Sequence, residues 1–143
     1  MILAFDPSRY PRAVTLLPQS EDDVQASILH ELHRRGILAW HLDAGGRKTR
    51  RILQARGVAM GAGGQGDIPE GWPDIFGILP NGQALFIEVK RPGVRVGTKR
   101  IQTPGALSTA QISFLNRAEI QNAIAFAAWD VSDVVAVLDG VAS

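Results

Sequence analysis

Apolar residues first recur at helical spacing at Val24, Ile28, Leu29 and Leu32, one stripe of a helix that Ser20 caps and Gly36 ends. Glu21, Asp22 and Asp23 fall in its first turn, where carboxylates favour the helix dipole. Ile37 to Leu42 follows at once as a strand-like run. Two further apolar runs, Asp74 to Leu79 and Ala84 to Lys90, flank Pro80-Asn81-Gly82 and read as a β-hairpin. Ser108 opens a second helix with Gln111 at capping-box spacing, and Ile112, Leu115 and Ile120 supply much of its apolar face. Ala123 to Trp129 reads as a last buried strand and Ser132 to Leu138 as a short terminal helix. The order helix, strand, hairpin, helix, strand, helix predicts an α/β domain whose mixed central sheet is flanked by helices.

Between these elements the periods fail. Residues 1–19 hold three prolines and no clear repeat, with Ala13 to Leu17 a short strand or an arm. The chain therefore divides into an N-terminal arm, 1–19, and a domain, 20–139. The stretch 43–71 carries eight of the fifteen glycines, with Ile52, Leu53 and Val58 as a short helix or strand inside it. A connection that long in a compact domain is functional or partly disordered. Arg91 to Ala106 reads as a second irregular stretch.

At 143 residues the chain is one domain's worth of material, enough for a real core. The absence of cysteine excludes disulfides, Cys-ligated zinc and thiol chemistry. Asp6, Pro7 and Arg9 interrupt the first ten residues, so they do not read as a signal peptide. No apolar run approaches the length of a membrane span. A cytoplasmic protein with no membrane partner is expected.

The net charge of +1 is modest, but the charges are segregated. No acid occurs from Ala44 to Gly66, which holds Arg47, Lys48, Arg50, Arg51 and Arg56, or from Arg91 to Ala118, which holds Arg95, Lys99, Arg100 and Arg117. Such runs are solvated loops or a grip for a polyanion.

The chemistry concentrates at Glu88-Val89-Lys90. Side chains alternate along a strand, so Glu88 and Lys90 project one way and Val89 the other, into the core. An acid beside an ammonium on a buried sheet is costly unless the two share a task. With Asp74 at the start of the partner run, two carboxylates and a lysine lie on paired strands. That set suits a hard cation such as Mg²⁺, which takes one or two protein carboxylates and keeps several waters. The first reading is a metal-dependent phosphodiesterase, with Lys90 orienting water or stabilising charge on phosphorus. Glu21 could add a carboxylate, or only serve the helix dipole. Gln111 is either the capping-box partner of Ser108 or a polar group that reaches the scissile phosphate.

Other patterns fail on context. Gly61-Ala62-Gly63-Gly64-Gln65-Gly66 matches a dinucleotide fingerprint literally, but no strand precedes it and Pro69 stands where a helix should run, so no nucleotide cofactor is expected. His30-Glu31-Leu32-His33 is one residue short of a zinc-protease pair, and both histidines read as solvent-facing. No serine stands in a nucleophile elbow.

An acid opening the first helix, Pro73-Asp74, Glu88-x-Lys90 and a later helix bearing Gln111 together resemble the PD-(D/E)XK nucleases. More narrowly, Glu21…Gln25, Gly71-Trp72-Pro73-Asp74, Phe86-Ile87-Glu88-Val89-Lys90, Leu107-Ser108…Gln111…Phe114-Leu115 and the closing Trp129 to Val134 look like the VRR-NUC group, the virus-type replication–repair nucleases. This resemblance covers roughly residues 20–138. It implies a restriction-endonuclease-like core, Mg²⁺ (or Mn²⁺) dependence and structure-selective DNA cleavage. By position, Asp74 and Glu88 would ligate metal, Lys90 would assist the water, and Glu21 (as a further ligand) and Gln111 would complete the site, with Gln25 a lesser member. Short stand-alone members resemble homodimeric Holliday-junction resolvases, which implies a homodimer acting on branched DNA in repair or recombination. Segments 45–70 and 91–107 look longer than the usual connections. Arg47, Lys48, Arg50, Arg51, Arg95, Lys99 and Arg100 are the candidate phosphate contacts. The alternatives are a nuclease on flap, duplex or single-stranded DNA, and a module that binds junctions without cutting.

Overall fold

The computed structural model describes residues 19–42, 51–52, 54–58 and 71–141. Helix α1 spans Glu21–Arg34, and strands β1 (Leu38–His41), β2 (Ile75–Ile78) and β3 (Ala84–Val89) follow. A small hairpin, β4 (Val94–Val96) and β5 (Lys99–Gln102), precedes helix α2 (Thr109–Ile120), strand β6 (Ile124–Ala128) and helix α3 (Val131–Gly140). The main sheet has the order β1-β2-β3-β6, with β4-β5 as a separate two-stranded sheet. Pairing is antiparallel from β1 to β3 and parallel between β3 and β6. The chain is thus a mixed α/β domain with a mixed sheet and three long helices among the described residues. None of those helices is long and apolar enough to cross a membrane.

Alternation along the strands sorts the core into two layers. Val24, Ile28 and Leu32 of α1 and Val134 and Leu138 of α3 pack on Ile75, Leu85, Ile87 and Val89, all buried. The opposite face meets α2: Leu115 and Ala118 pack with Ala125, Ala127 and Trp129, flanked by Phe86, Leu107 and Phe114. Complete burial of a side chain such as Ile87 or Leu115 stabilises the fold by roughly 1.5–3 kcal/mol.

Local signals set the ends of the helices. Ser20 and Ser108 each accept from the backbone N–H three residues on, and Asp23 and Gln111 return the bond to the cap. Those bonds hold the Asp23 carboxyl below the ordinary carboxylate range. Asp130 caps α3, so that helix begins earlier and ends later than Ser132 to Leu138.

Two expectations need correction. The stretch 91–106 is not irregular throughout, because β4 and β5 pair across Gly97, with a register shift between Val94 and Arg95. Short strands broken by a bulge leave too brief an alternation to register in the sequence. Ile120 is 80% exposed and does not join the apolar face of α2, whose buried members are Leu115 and Ala118. It is the last residue of its helix, beyond the reach of the sheet. His30 and His33 are exposed, as expected, and the His33 ring Nε2 also bonds the Ala39 carbonyl at 2.8 Å, tying α1 to β1. In the long connection, residues 51–52 and 54–55 are helical. The expected arm at 1–18 and the glycine pattern at 61–66 lie outside the described residues.

Candidate metal and phosphate site

Register places the two acids. Ile75 pairs with Ile87 at the end of the β2–β3 ladder, so Asp74 and Glu88 come next and face each other across the strands. Both lie on the α2 side, one step beyond the Phe76–Phe86 pair. Asp74 Oδ2 accepts the Val89 N–H at 2.8 Å, replacing the next rung of the ladder, while its carbonyl accepts from the Leu42 N–H at 3.0 Å. The acid is therefore fixed through both its side chain and its backbone.

Glu88 is 3% exposed and is the one buried charged side chain among the described residues. Its Oε1 accepts from Gln111 Nε2 at 2.6 Å and lies 3.4 Å from Lys90 Nζ. Gln111 Oε1 in turn accepts the Ser108 N–H at 2.8 Å. The capping-box reading of Gln111 is met, and the other end of the same amide holds Glu88. Glu88 Oε2 is buried and no donor among the described residues reaches it. Burial, and then the Asp74 charge, push the Glu88 carboxyl up to about 8 against the pull of Lys90. The Asp74 carboxylate is close enough to favour the protonated form of Glu88 through its charge and through a side-chain hydrogen bond that the Glu88 proton would donate.

Glu21 reaches this end of the sheet from α1, in the other layer. Burial raises its carboxyl above the ordinary value, with Lys90 lowering it and Asp74 raising it. Arg91 also acts on Glu21, a cation next to Lys90 that sequence reasoning placed in the basic stretch and not in the site. Among the described residues no three His, Cys, Asp or Glu side chains are gathered closely enough to hold a metal ion. Glu21 thus stands in the field of the pair without closing a three-carboxylate set. Gln25 is not directed to the acids, because its Nε2 bonds His41 Nδ1 at 2.7 Å.

The chain before Asp74 sets the approach of α2. Gly71 has φ +83°, and a Cβ there would fall on the backbone of Ala110. Only glycine lets this segment lie against the first turn of α2. Trp72 then packs edge-to-face on Phe86 and at a tilt on Phe114, with ring centroids 5.4 and 5.0 Å away. Its indole N–H is buried and finds no acceptor among the described residues. The ring, not the N–H, holds α2 and hence Gln111 in place.

The cations divide into two groups. Arg95, Lys99 and Arg100 share the β4–β5 hairpin and are exposed, as is Arg51. Arg95 and Arg100 are direct cross-strand partners, a like-charge pairing that costs stability in isolation. Gln102 Nε2 donates to the carbonyls of Pro92 (2.7 Å) and Gln19 (2.9 Å), tying the hairpin base to the start of α1. Arg47, Lys48 and Arg50 lie outside the described residues.

Compared with models of known protein families, with curated proteins and with solved structures, the chain gives no match. The residues of the site therefore carry the functional reading by themselves. They fit a divalent cation: two facing carboxyls, one with a buried oxygen lacking a donor, and a burial cost that a cation would remove.

Proposed function

We propose that the protein is a Mg²⁺-dependent endonuclease of the VRR-NUC type, with a restriction-endonuclease-like core, which acts on branched DNA as a homodimer. The observation that carries this reading is the unpartnered Glu88 Oε2, buried opposite Asp74 with Lys90 beside it. Asp74 and Glu88 would hold the ion, with Glu21 near enough to contribute charge. When bound, Mg²⁺ (or Mn²⁺) supplies positive charge to the phosphodiester and acidifies water.

The chain's own groups do the rest. Water oxygen attacks phosphorus, a P–O ester bond breaks, and a phosphate monoester and an alcohol leave. Lys90 sits beside the acids, where its ammonium orients that water or stabilises charge growing on the phosphate oxygens. Gln111 keeps Glu88 Oε1 occupied, so Oε2 is the oxygen left for the ion. The hairpin cations Arg95, Lys99 and Arg100 take backbone phosphates, which compensates for the Arg95–Arg100 repulsion. Two copies suit a four-way junction, whose two-fold symmetry requires cuts on opposed strands.

The test is cleavage of a synthetic four-way junction beside matched flap, duplex and single-stranded DNA, with Mg²⁺, with EDTA and with Lys90→Ala. Paired nicks on the junction, lost in EDTA and in the variant, are expected. Metal-dependent cleavage of another substrate preserves the site and moves the specificity. A second reading, a junction-binding module, draws on there being no three-carboxylate group among the described residues. It predicts binding without cleavage under any divalent ion.

A further inference from the structure

Lys90 leaves the end of β3, where its backbone N–H still donates to the Ala128 carbonyl at 2.9 Å. Its side chain is nearly buried although it lies past the last residue of β3. The loop between β5 and α2 covers part of it. A Cβ built at Gly105 would stand 3.3 Å from Lys90 Cδ and 3.4 Å from Lys90 Cβ. The Gly105 backbone therefore lies close against the lysine stem, where a methyl would be tight and would push the stem by a few tenths of an ångström.

Two bonds keep that backbone in place. The Gly105 N–H donates to the Arg91 carbonyl at 2.8 Å, and the Gly105 carbonyl accepts from Trp129 Nε1 at 2.7 Å. Trp129 is itself 3% exposed, just past the end of β6, and its backbone N–H donates to Asp133 Oδ2 at 2.9 Å. A third bond, Arg91 Nε to the Thr103 carbonyl at 2.9 Å, fastens the same loop two residues earlier. The path from Trp129 through Gly105 to the Lys90 stem is continuous, and it ends with the ammonium 3.4 Å from Glu88.

We propose that Trp129 and Gly105 are positioning residues for Lys90: the indole N–H holds the Gly105 carbonyl so that the glycine backbone confines the lysine stem and aims its ammonium at the acid pair. A lysine stem is long and freely rotating, so an ammonium that must meet one phosphate in one place gains from such a wall. The consequence for catalysis rests on the nuclease reading; the positioning itself does not.

The test uses the full chain with Trp129→Phe, which keeps a ring in the core and removes the N–H, and Gly105→Ala, which crowds the stem. The readouts are the NMR relaxation of the Lys90 Cε methylene and, separately, kcat and KM for DNA cleavage with Mg²⁺. Both variants are expected to loosen or displace Lys90 and to lower kcat by about 10–100-fold, as a small misplacement of a reacting group does, while KM stays within about twofold. Wild-type relaxation at Lys90 in both variants overturns the proposal, as does a fall in kcat with Lys90 undisturbed. If Trp129→Phe does not fold, Gly105→Ala decides by the same criteria. If the wild-type protein cleaves no DNA, the nuclease reading fails, and the relaxation of Lys90 still decides the positioning.

Discussion

On the face that meets α1 and α3, strands β2 and β3 present Ile75, Leu85, Ile87 and Val89, all fully buried. On the face that meets α2, the alternate positions of the same strands carry Asp74, Phe76, Phe86 and Glu88, with Lys90 just beyond. The first face is uniform and covered by two helices. The second is graded: an acid pair at one end, an aromatic row of Phe76, Phe86, Phe114 and Trp72 in the middle, and exposed Leu38 and Ile78 at the other end. The comparison teaches that one face holds the sheet in shape so that the other can afford a buried carboxyl with an unpartnered oxygen. A burial cost of that kind persists only where packing elsewhere exceeds it.

The largest effect that would break this division is on the graded face. Lys90→Ala is expected to lower metal-dependent cleavage by about 10²–10⁴-fold, the range for a positioned group in proton transfer or charge stabilisation. Its circular dichroism should remain that of the folded protein while its thermal midpoint falls, because the nearly buried Lys90 ammonium lies beside the Glu88 carboxyl and its stem packs on Gly105. A loss of activity no greater than the loss of folded protein would remove Lys90 from the chemistry.

The uniform face should show the reverse. Ile87→Ala empties a site with no exposed surface and is expected to cost about 2–5 kcal/mol in denaturant unfolding. Its kcat, measured well below the new midpoint, should remain near that of the parent. A fall in kcat as large as that of Lys90→Ala would mean that the two faces are not separable.

The acid pair predicts a pH dependence of definite sign. Glu88 is raised from 4.5 to about 8 by burial and then by Asp74, and Glu21 moves in the same direction. The folded protein holds the Glu88 proton more tightly than the unfolded chain does, so unfolding releases it. That carboxyl destabilises progressively as pH rises from about 4.5 to about 8, by a total of a few kcal/mol given 1.36 kcal/mol per unit. Unfolding free energies in EDTA should therefore decline across pH 5–8, and Glu88→Gln should flatten the slope. Mg²⁺ should stabilise more at pH 8 than at pH 6, since it must displace the proton. An unchanged slope in Glu88→Gln would assign the pH dependence to other groups.

The smallest effect sharpens the comparison within the graded face, where two tryptophans differ in use. Trp72 offers its ring, while Trp129 offers its N–H to Gly105. Trp72→Phe relieves a buried unpartnered donor but loses ring area, so its unfolding free energy should move by less than about 1.5 kcal/mol. The same change at Trp129 should disturb Lys90.

Much of the scaffold was legible because its causes are local. The stripe Val24, Ile28, Leu32 and the caps Ser20 and Ser108 each act within one or two helical turns. The hairpin of β2 and β3 followed from two apolar runs around Pro80-Asn81-Gly82, and its short turn fixed the register. The β4–β5 hairpin was missed because three- and four-residue strands with a bulge carry almost no period. Ile120 was misjudged because a helical stripe does not reveal where the partner surface ends.

By itself, then, the sequence determined the helices and main-sheet strands, the caps Ser20 and Ser108, and the fact that Glu88 and Lys90 share one side of a strand with Asp74 near its partner. Alternation and capping are properties of neighbouring residues, and no distant contact is needed to impose them. Only the tertiary structure decided what those acids experience. Gln111 is 23 residues from the oxygen it binds, and Trp129 is 24 from the carbonyl it holds. The depth of burial that raises Glu88 depends on α2 closing over the sheet, which Gly71 permits and the Trp72 ring secures. Desolvation is a sum over everything that excludes water from a group, so it exists only once those distant segments have met.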